Sequence, residues 1–310
     1  MSSQRPFRFG VIGISAGSRK EWAEKARKAE ALGFATLLMW DHFDGHLAPL
    51  PALVAAADAT TSLRLAPCVL SNDYRHPVLL AREAATIDLL TDGRFELGIG
   101  AGWNRDEYQR AGLPFDPPAV RVGRLEESIQ VLKGLFADAP LTFHGQHYTI
   151  AGLRGHPRPV QQPHPPIMIG GARRRLLALA AREADIVAFA TKVDADGTHH
   201  FVDSTGPALA RKVVWVREAA GARFARLELH IHVGGVIVTP QRRQTADSMA
   251  GTAGLTGEQL LDCLQALIGT IDEIVEDLLR RRELYGISYI SVDERFMDAL
   301  APVVARLAGS

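Results

Sequence analysis

Short apolar runs alternate along the chain with longer stretches in which apolar residues recur every three or four positions. The first pattern is typical of buried β-strands and the second of amphipathic helices. A helical stretch follows each apolar run, so the pattern predicts eight β–α units. The predicted strands cover residues 7–14, 36–40, 63–70, 95–99, 167–169, 185–189, 227–233 and 287–292.

Local signals mark the ends of several predicted helices. Ser18 with Glu21 has the spacing of a capping box, in which two side chains satisfy free backbone N–H groups at the start of a helix. Gly33 ends the first helix, because glycine readily takes the left-handed conformation found there. Pro77 has the first-turn position that proline favours.

Eight successive β–α units are typical of a (β/α)8 barrel, an α/β fold, and no repeat or low-complexity tract divides the chain. We therefore predict a single TIM-barrel domain over residues 1–310, with insertions at about 137–166, 191–206 and 239–269. A doubly wound open sheet is the alternative, since alternation of strands and helices cannot show closure. In a barrel the chemistry lies at the carboxyl ends of the strands.

Composition narrows the classes of partner. The 310 residues are 47% apolar and carry 35 Lys plus Arg against 35 Asp plus Glu, which gives no electrostatic case for nucleic acid or an anionic membrane. Cys68 and Cys263 lack the spacing of a disulfide framework or a metal site, so no metal is predicted. We find neither a signal peptide nor a run of roughly 20 apolar residues, and expect a cytoplasmic protein.

The segment RFELGIGAGW, residues 94–103, ends in alternating glycines. A strand with Gly98, Gly100 and Gly102 at its carboxyl end lets a flat ligand approach the backbone, because no Cβ intrudes. The same pattern also occurs in tightly packed strands. Trp103 stands where the last glycine of GxGxxG belongs, so a Rossmann dinucleotide site is disfavoured.

Asp41 and His42 directly follow the second predicted strand, at the mouth of the expected barrel. An imidazole there can exchange protons with a substrate, and a carboxylate can set the charge of that imidazole. His46 would lean over the same opening. The plainer interpretation makes Asp41 a cap of the next turn and leaves both histidines as exposed loop residues.

The segment IMIGGARRR puts two glycines between a predicted strand and a predicted helix. The backbone N–H groups of Gly170, Gly171 and Ala172 can therefore hold a phosphate at the positive end of the helix. Arg173 or one of the two arginines after it would pair with this anion, while the others would be solvated.

The seventh predicted strand places Glu228, His230 and His232 on one face, because successive side chains of a strand point to opposite sides. They would line the barrel interior. Two interpretations stay open, an internal polar layer and a set of catalytic groups.

Several segments occur in a distinctive order along the chain. They are LLMWDHF, APCVLSNDYRHP, DLLTDGRFELGIGAGW, PPIMIGG and ADIVAF, and VWVREAAG, LIGTIDEI and YGISYI extend the likeness. Together they resemble the luciferase-like monooxygenase superfamily, and more closely its branch of coenzyme F420-dependent oxidoreductases. The resemblance implies an (α/β)8 barrel that binds a deazaflavin or flavin at its carboxyl face, in a protein that is a homodimer as many relatives are.

The resemblance also implies roles for individual residues. By position, Asp41 and His42 would border the ring that gives or takes the hydride. Cys68 and Val69 match the place where relatives have a non-proline cis peptide that forms a bulge behind the deazaflavin. Considered without the resemblance, these two would be packed core residues. The backbone of residues 170–172 matches the one that holds the cofactor phosphate.

Two positions depart from the relatives that oxidise glucose 6-phosphate. Trp103 stands where those relatives have a glutamate acid, and His46 where they have a tryptophan. Oxidation of a sugar phosphate is therefore disfavoured. The departures assign proton delivery to His42, or else to His46, and favour an apolar small-molecule substrate packed against Trp103.

Three functions follow from the resemblance. The favoured one is an oxidoreductase that transfers a hydride between coenzyme F420 and a small organic substrate, such as an activated C=C, an imine or an alcohol. The alternative is a monooxygenase that uses FMN and O₂ and needs a separate reductase. A non-catalytic flavin-binding protein on the same scaffold is the second alternative.

Overall fold

A computed structural model describes residues 5–194 and 196–310 of the chain. The β-strands form one large parallel sheet, a two-stranded parallel sheet and a hairpin. In chain order they are β1 (Arg8–Gly13), β2 (Thr36–Met39), β3 (Arg64–Pro67), β4 (Leu70–Ser71), β5 (Leu97–Gly100), β6 (Leu141–His144), β7 (Thr149–Leu153), β8 (Ile167–Gly171), β9 (Ile186–Phe189), β10 (Glu228–Val233), β11 (Gly235–Val238), β12 (Ala266–Gly269) and β13 (Ile287–Asp293).

The large sheet curls into a barrel. Its strand order is β3-β2-β1-β13-β10-β9-β8-β5-β4, and every pairing in it is parallel. Strands β3 and β4 are two halves of one barrel strand, and a parallel bridge from Leu65 to Phe95 joins its first half to the segment that leads into β5. The two ends of the sheet therefore meet. The prediction of a (β/α)8 barrel is confirmed, and the open doubly wound sheet was the wrong alternative.

Helices follow the barrel strands in the predicted order. They are α1 (Arg19–Ala31), α2 (Pro49–Ala57), α3 (Pro77–Leu90), α4 (Arg105–Arg110), α5 (Pro118–Phe136), α6 (Arg174–Glu183), α7 (Gly206–Ala220), α8 (Arg242–Ala250), α9 (Gly257–Leu261), α10 (Ile271–Tyr285) and α11 (Met297–Leu307). Short 3₁₀ turns cover Asn72–Tyr74, Phe201–Ser204, Gly221–Arg226, Gly251–Ala253 and Glu294–Phe296. Within the described residues, no helix is both long enough and apolar enough to cross a bilayer.

The predicted helix ends are confirmed with one difference. Gly33, just beyond α1, has φ +84°, as its left-handed role requires. Ser18 accepts a hydrogen bond from the backbone N–H of Glu21, as predicted, but Glu21 accepts in turn from Gly17 rather than from Ser18. The capping box at α1 is therefore incomplete, because the side chain of Glu21 bonds to the residue before the N-cap and not to the N-cap itself.

The insertions contain more regular structure than the sequence patterns predict. The insertion at 137–166 contains an antiparallel hairpin formed by β6 and β7. The segment 239–269 contains α8, α9 and β12, and β12 pairs with β11, a strand that the patterns do not predict. Because β11 follows β10 after one residue, the last insertion begins before residue 239.

The barrel interior is layered. At its amino end, Arg8 and Arg64 bind the buried carboxylate of Glu96, and Arg8 Nη2 lies 2.6 Å from Glu228 Oε2. Burial raises the pKa of the Glu96 carboxyl, but the charges of Arg8 and Arg64 outweigh that effect and hold the pKa below its usual value. Apolar side chains fill the middle of the barrel, with Ile12, Leu38 and others in contact there.

Strand β10 contributes to this interior as one of the two interpretations predicts. His230 is buried, and its Nε2 lies 2.9 Å from the hydroxyl oxygen of Ser291. Burial lowers the pKa of His230 well below the usual value, so the imidazole is neutral. Glu228 pairs with Arg8 at the amino end. Glu228 and His230 thus belong to an internal polar layer, and of the three residues only His232 reaches the carboxyl end of the barrel.

The glycines in and just after β5 leave space for neighbouring residues of the chain. A Cβ on Gly98 would lie 1.9 Å from the carbonyl oxygen of Pro67, and one on Gly100 would lie 2.7 Å from Cγ2 of Val69. Gly102, with φ +70°, faces the hydroxyl of Tyr108 in the same way. Close packing against neighbouring residues of the chain is therefore sufficient reason for these glycines, and their contact with a flat ligand stays a prediction.

We predict that Gly98→Ala lowers the free energy of unfolding by about 3 kcal/mol, because the methyl group must displace backbone of the adjoining strand. Gly251→Ala is the matched control, since a Cβ there meets nothing within 4 Å and its φ of −60° suits alanine. The control is expected to be neutral or to gain up to about 1 kcal/mol. Urea unfolding followed by circular dichroism measures both; equal stability of the two variants would contradict this packing.

Candidate active site

The polar residues predicted to meet at the carboxyl end of the barrel do surround its mouth. Asp41 and His42 follow β2, Ser71 ends β4, and Trp103 lies three residues after β5. Gly171 ends β8, and His232 is the penultimate residue of β10. Parallel strands in a closed barrel place all these positions at one end.

His42 is held by a carboxylate that the sequence analysis does not identify. Its ring nitrogen Nδ1 lies 2.9 Å from each carboxylate oxygen of Glu107, which is 5% exposed. A carboxylate only accepts hydrogen bonds, so the pair assigns the proton to Nδ1. Within the described residues Nε2 of His42 has no hydrogen-bond partner, and it is the nitrogen left for chemistry.

Glu107 reaches His42 because it lies in the first turn of α4, whose start is fixed by Asn104. The side chain of Asn104 caps this helix by accepting from the backbone N–H of Glu107, at 3.4 Å. Asparagine followed by glutamate three residues later resembles the spacing that marks other helix starts in this chain, such as Ser18 with Glu21. That signal could have located α4 and its carboxylate from the sequence.

Asp41 is an anchor for the strand ends rather than the partner of His42. The guanidinium of Arg75 binds both of its carboxylate oxygens, at 2.6 and 3.0 Å, and Oδ2 also accepts from the backbone N–H of Ser71 at 3.0 Å. The expectation that Asp41 sets the charge of the imidazole is thus corrected, since Glu107 has that position. Contact of Asp41 with a cofactor stays a prediction.

Aromatic and imidazole rings form a continuous wall around His42. The ring of His46 lies 5.7 Å from His42 and 5.9 Å from Trp40, and Trp103 also lies 5.7 Å from His42. His232 continues the wall at 5.7 Å from Trp40. The structure thus places His46 beside His42, and its buried Nε2 has no hydrogen-bond partner among the described residues.

Cys68 and Val69 lie between β3 and β4, and the peptide bond that joins them is cis, as the resemblance implies. The side chain of Val69 packs over Gly98, Gly100 and Gly170. Burial, with a further contribution from the charge of Glu96, raises the pKa of the Cys68 thiol to about 12. The thiol is therefore not a nucleophile, and Val69 is the residue that shapes the surface of the mouth.

The predicted phosphate site lies at the start of α6. Arg173 is the N-cap residue, and the backbone N–H groups of Ala172 and Arg173 have no acceptor within the described part of the chain. A Cβ on Gly170 would meet no atom closer than 3.7 Å, whereas one on Gly171 would lie 2.8 Å from Leu176. Gly171 is therefore required by helix packing, while Gly170 leaves space at the mouth.

The described residues contain no group of three or more His, Cys, Asp or Glu side chains arranged to hold a metal ion. The histidines of the mouth are instead joined to Glu107, to the backbone and to serine. Their arrangement suits proton transfer and ring contacts.

The chain belongs to the luciferase-like monooxygenase family, because the model of that family matches residues 5–233. One curated relative is the FMNH₂-dependent dimethylsulfone monooxygenase of Pseudomonas putida, 30% identical over 203 residues, 60% of this chain. The match spans only 56% of that relative's length. Another is the F420-dependent glucose-6-phosphate dehydrogenase of Nakamurella multipartita, 30% identical over 78% of this chain and 71% of the relative.

Solved structures show the same fold. The coenzyme F420-dependent tetrahydromethanopterin reductase of Methanopyrus kandleri superposes with a TM-score of 0.79 at 17% identity, covering 97% of this chain and 99% of the other. The EDTA monooxygenase of Chelativorans sp. BNC1 superposes with a TM-score of 0.77 at 16% identity, covering 99% and 95%. Family and fold are thus established, and the relatives include users of F420 and of FMN.

We predict that Glu107→Ala frees the Nδ1 atom of His42, so that neutral His42 populates both tautomers instead of the Nδ1–H form alone. Asp106→Ala is the control, because Asp106 lies on the same helix but is exposed and pairs with Arg110 at 3.3 Å. Nitrogen-15 NMR of the imidazole rings distinguishes the tautomers. A mixture already present in the unmodified protein would contradict the pairing.

Proposed function

We propose that the chain is an oxidoreductase that moves a hydride between coenzyme F420 and a small organic substrate. The observation that carries the proposal is the Glu107–His42 pair at the mouth, which supplies one oriented proton-transfer nitrogen beside a site for a flat cofactor. The F420-dependent relative that aligns over 78% of the chain supports this choice of cofactor.

The residues present fit a deazaflavin with a phosphate-bearing tail. The backbone N–H groups of Ala172 and Arg173, which have no acceptor among the described residues, lie at the start of a ten-residue helix, where the helix dipole favours an anion. Gly170 leaves space that a side chain would fill. Residues 170–173 would hold the phosphate, Val69 would support the ring, and Gly100 and Gly102 would line the approach to it.

When bound, the deazaflavin supplies the carbon that gives or takes the hydride. The side chains of this protein would transfer the proton that accompanies the hydride. Nε2 of His42 gives a proton to the substrate heteroatom in the reductive direction and takes it back in the oxidative one. The buried Glu107 stabilises the imidazolium form that exists between these events. With cofactor and substrate bound, the surrounding rings would limit the access of water and keep the proton transfer between His42 and the substrate.

The side chain at position 103 separates this site from that of a sugar-phosphate oxidase. Trp103 is 39% exposed and lies 5.7 Å from His42, so an indole stands where the resemblance implies an acid in such relatives. His42, with His46 beside it, is then the proton donor that the site offers. This arrangement suits a less polar substrate than a sugar phosphate.

An FMN-dependent monooxygenase is the second candidate, and the similarity to the FMNH₂-dependent dimethylsulfone monooxygenase favours it. In that reaction His42 and Glu107 would again move a proton, but O₂ would be consumed. A non-catalytic flavin-binding protein is disfavoured, because it has no use for an oriented ionisable pair at the mouth.

We predict that the protein binds F420 more tightly than FMN and that Ala172→Asp weakens F420 binding at least tenfold by placing a negative charge at the phosphate site. Ala172→Ser is the matched control, since it adds a polar group without charge, and its dissociation constant should stay within about twofold. Titration followed by cofactor fluorescence gives the constants. Tighter binding of FMN would select the monooxygenase, and equal affinities of the two variants would refute the phosphate assignment.

A further inference from the structure

Several rings lie close to His42 at the mouth. The rings of His46 and Trp103 each lie 5.7 Å from His42, Trp40 lies 6.4 Å from it, and His232 lies 5.7 Å from Trp40. The wall extends beyond Trp103, because the ring of His199 lies 6.3 Å from that indole. Flat faces of this kind favour a flat ligand, since aromatic groups gain from stacked and edge-to-face contacts.

A backbone bridge and a ring contact hold His199 in place. It lies in the segment 191–206, where Val193 and His199 form an antiparallel bridge and the ring of His199 stacks on Phe201 at 5.9 Å. The base of this segment is fixed by Lys212, whose buried Nζ donates to the carbonyl oxygens of Ala190 and Asp203, both at 2.8 Å. These contacts hold the ring of His199 beside the indole of Trp103.

The carboxylates of the mouth already have partners. Glu107 accepts a hydrogen bond from His42, and Asp41 pairs with Arg75. Asp293, beside His232, lies 3.1 Å from a guanidinium nitrogen of Arg295. Each of these three acids is thus engaged by at least one side chain of the protein itself.

The cations nearest the mouth are also engaged. Arg75 donates to both oxygens of Asp41, and Arg121 donates to the backbone carbonyls of Ala101 and Gly102. A charged substrate would lose its hydration on entering, and these engaged side chains would replace only part of it. The contacts therefore favour a neutral substrate.

We propose that the substrate is a neutral, planar aromatic compound that stacks on the indole of Trp103 and presents a carbonyl or similar hydrogen-bonding group to His42. This substrate class rests on the proposed function for the reaction that follows binding. The binding preference itself depends only on residues of this chain.

Isothermal titration with three matched probes tests the proposal. Acetophenone is the neutral aromatic ketone, 4-carboxyacetophenone adds a negative charge, and cyclohexyl methyl ketone removes the planar ring at nearly constant size. We expect acetophenone to bind at least tenfold more tightly than either of the others. Trp103→Leu should abolish the advantage over the cyclohexyl ketone. Phe43→Leu, at an exposed aromatic residue that stacks on Tyr74 outside this wall, should leave it unchanged.

Equal or tighter binding of the carboxylate or of the cyclohexyl ketone would overturn the proposal. So would an unchanged preference in Trp103→Leu, or the failure of acetophenone to bind at millimolar concentration with and without F420 or FMN. F420 titration of the same samples keeps the two conclusions separate. A protein that shows the aromatic preference but takes up no F420 retains the substrate class and loses the proposed function.

Discussion

The packing of Val69 against a row of glycines is the constraint on which the site depends. Its side chain lies over Gly98 and Gly100, in space that a Cβ at either position would enter, and it borders Gly170 at ordinary contact distance. The interruption between β3 and β4 can therefore sit inside the barrel without opening it. The carboxyl end of the sheet becomes an apolar surface shaped by one valine, and the rest of the mouth is arranged around it.

Two hydrogen-bonded ties then fix the residues of the candidate site. Ser71, just beyond this interruption, donates its backbone N–H to Asp41, which joins the end of β4 to the end of β2. The buried hydroxyl of Tyr108 lies 2.8 Å from the hydroxyl of Ser71, which holds α4 against the same strand. Because Glu107 precedes Tyr108, this second tie delivers its carboxylate to His42. The orientation of His42 is thus a consequence of strand packing and helix placement together.

Patterns that repeat along the chain were sufficient to predict the eight β–α units of the barrel. The apolar runs and the helical spacing showed that strands and helices alternate, and the capping residues located helix ends such as that at Gly33. Closure was beyond them, because it rests on the contact between Leu65 and Phe95 and on side-chain volumes across the sheet. The short helix α4 was missed because six residues are too few for a helical period to appear.

The candidate site residues divide in the same way. The sequence analysis selected His42, His46 and Trp103 because each follows a predicted strand, and the structure places their rings close together. Glu107 was not found, because its partner lies 65 residues away in sequence and only the folded chain shows the pair. The glycines illustrate the opposite case. Their pattern was correctly identified, but sequence cannot say whether a ligand or a valine occupies the space beside them.

The central claim is that Glu107 and His42 supply the proton for hydride transfer in a site that holds a deazaflavin. Turnover of F420 against a panel of neutral carbonyl, imine and activated alkene compounds, followed by cofactor absorbance, tests it most directly. The account predicts that His42→Ala binds F420 as the unmodified protein does but turns it over about 10² to 10⁴ times more slowly, while His144→Ala, at an exposed site on β6, is unchanged. Undiminished turnover in His42→Ala, or no F420 turnover by the unmodified protein, would contradict it.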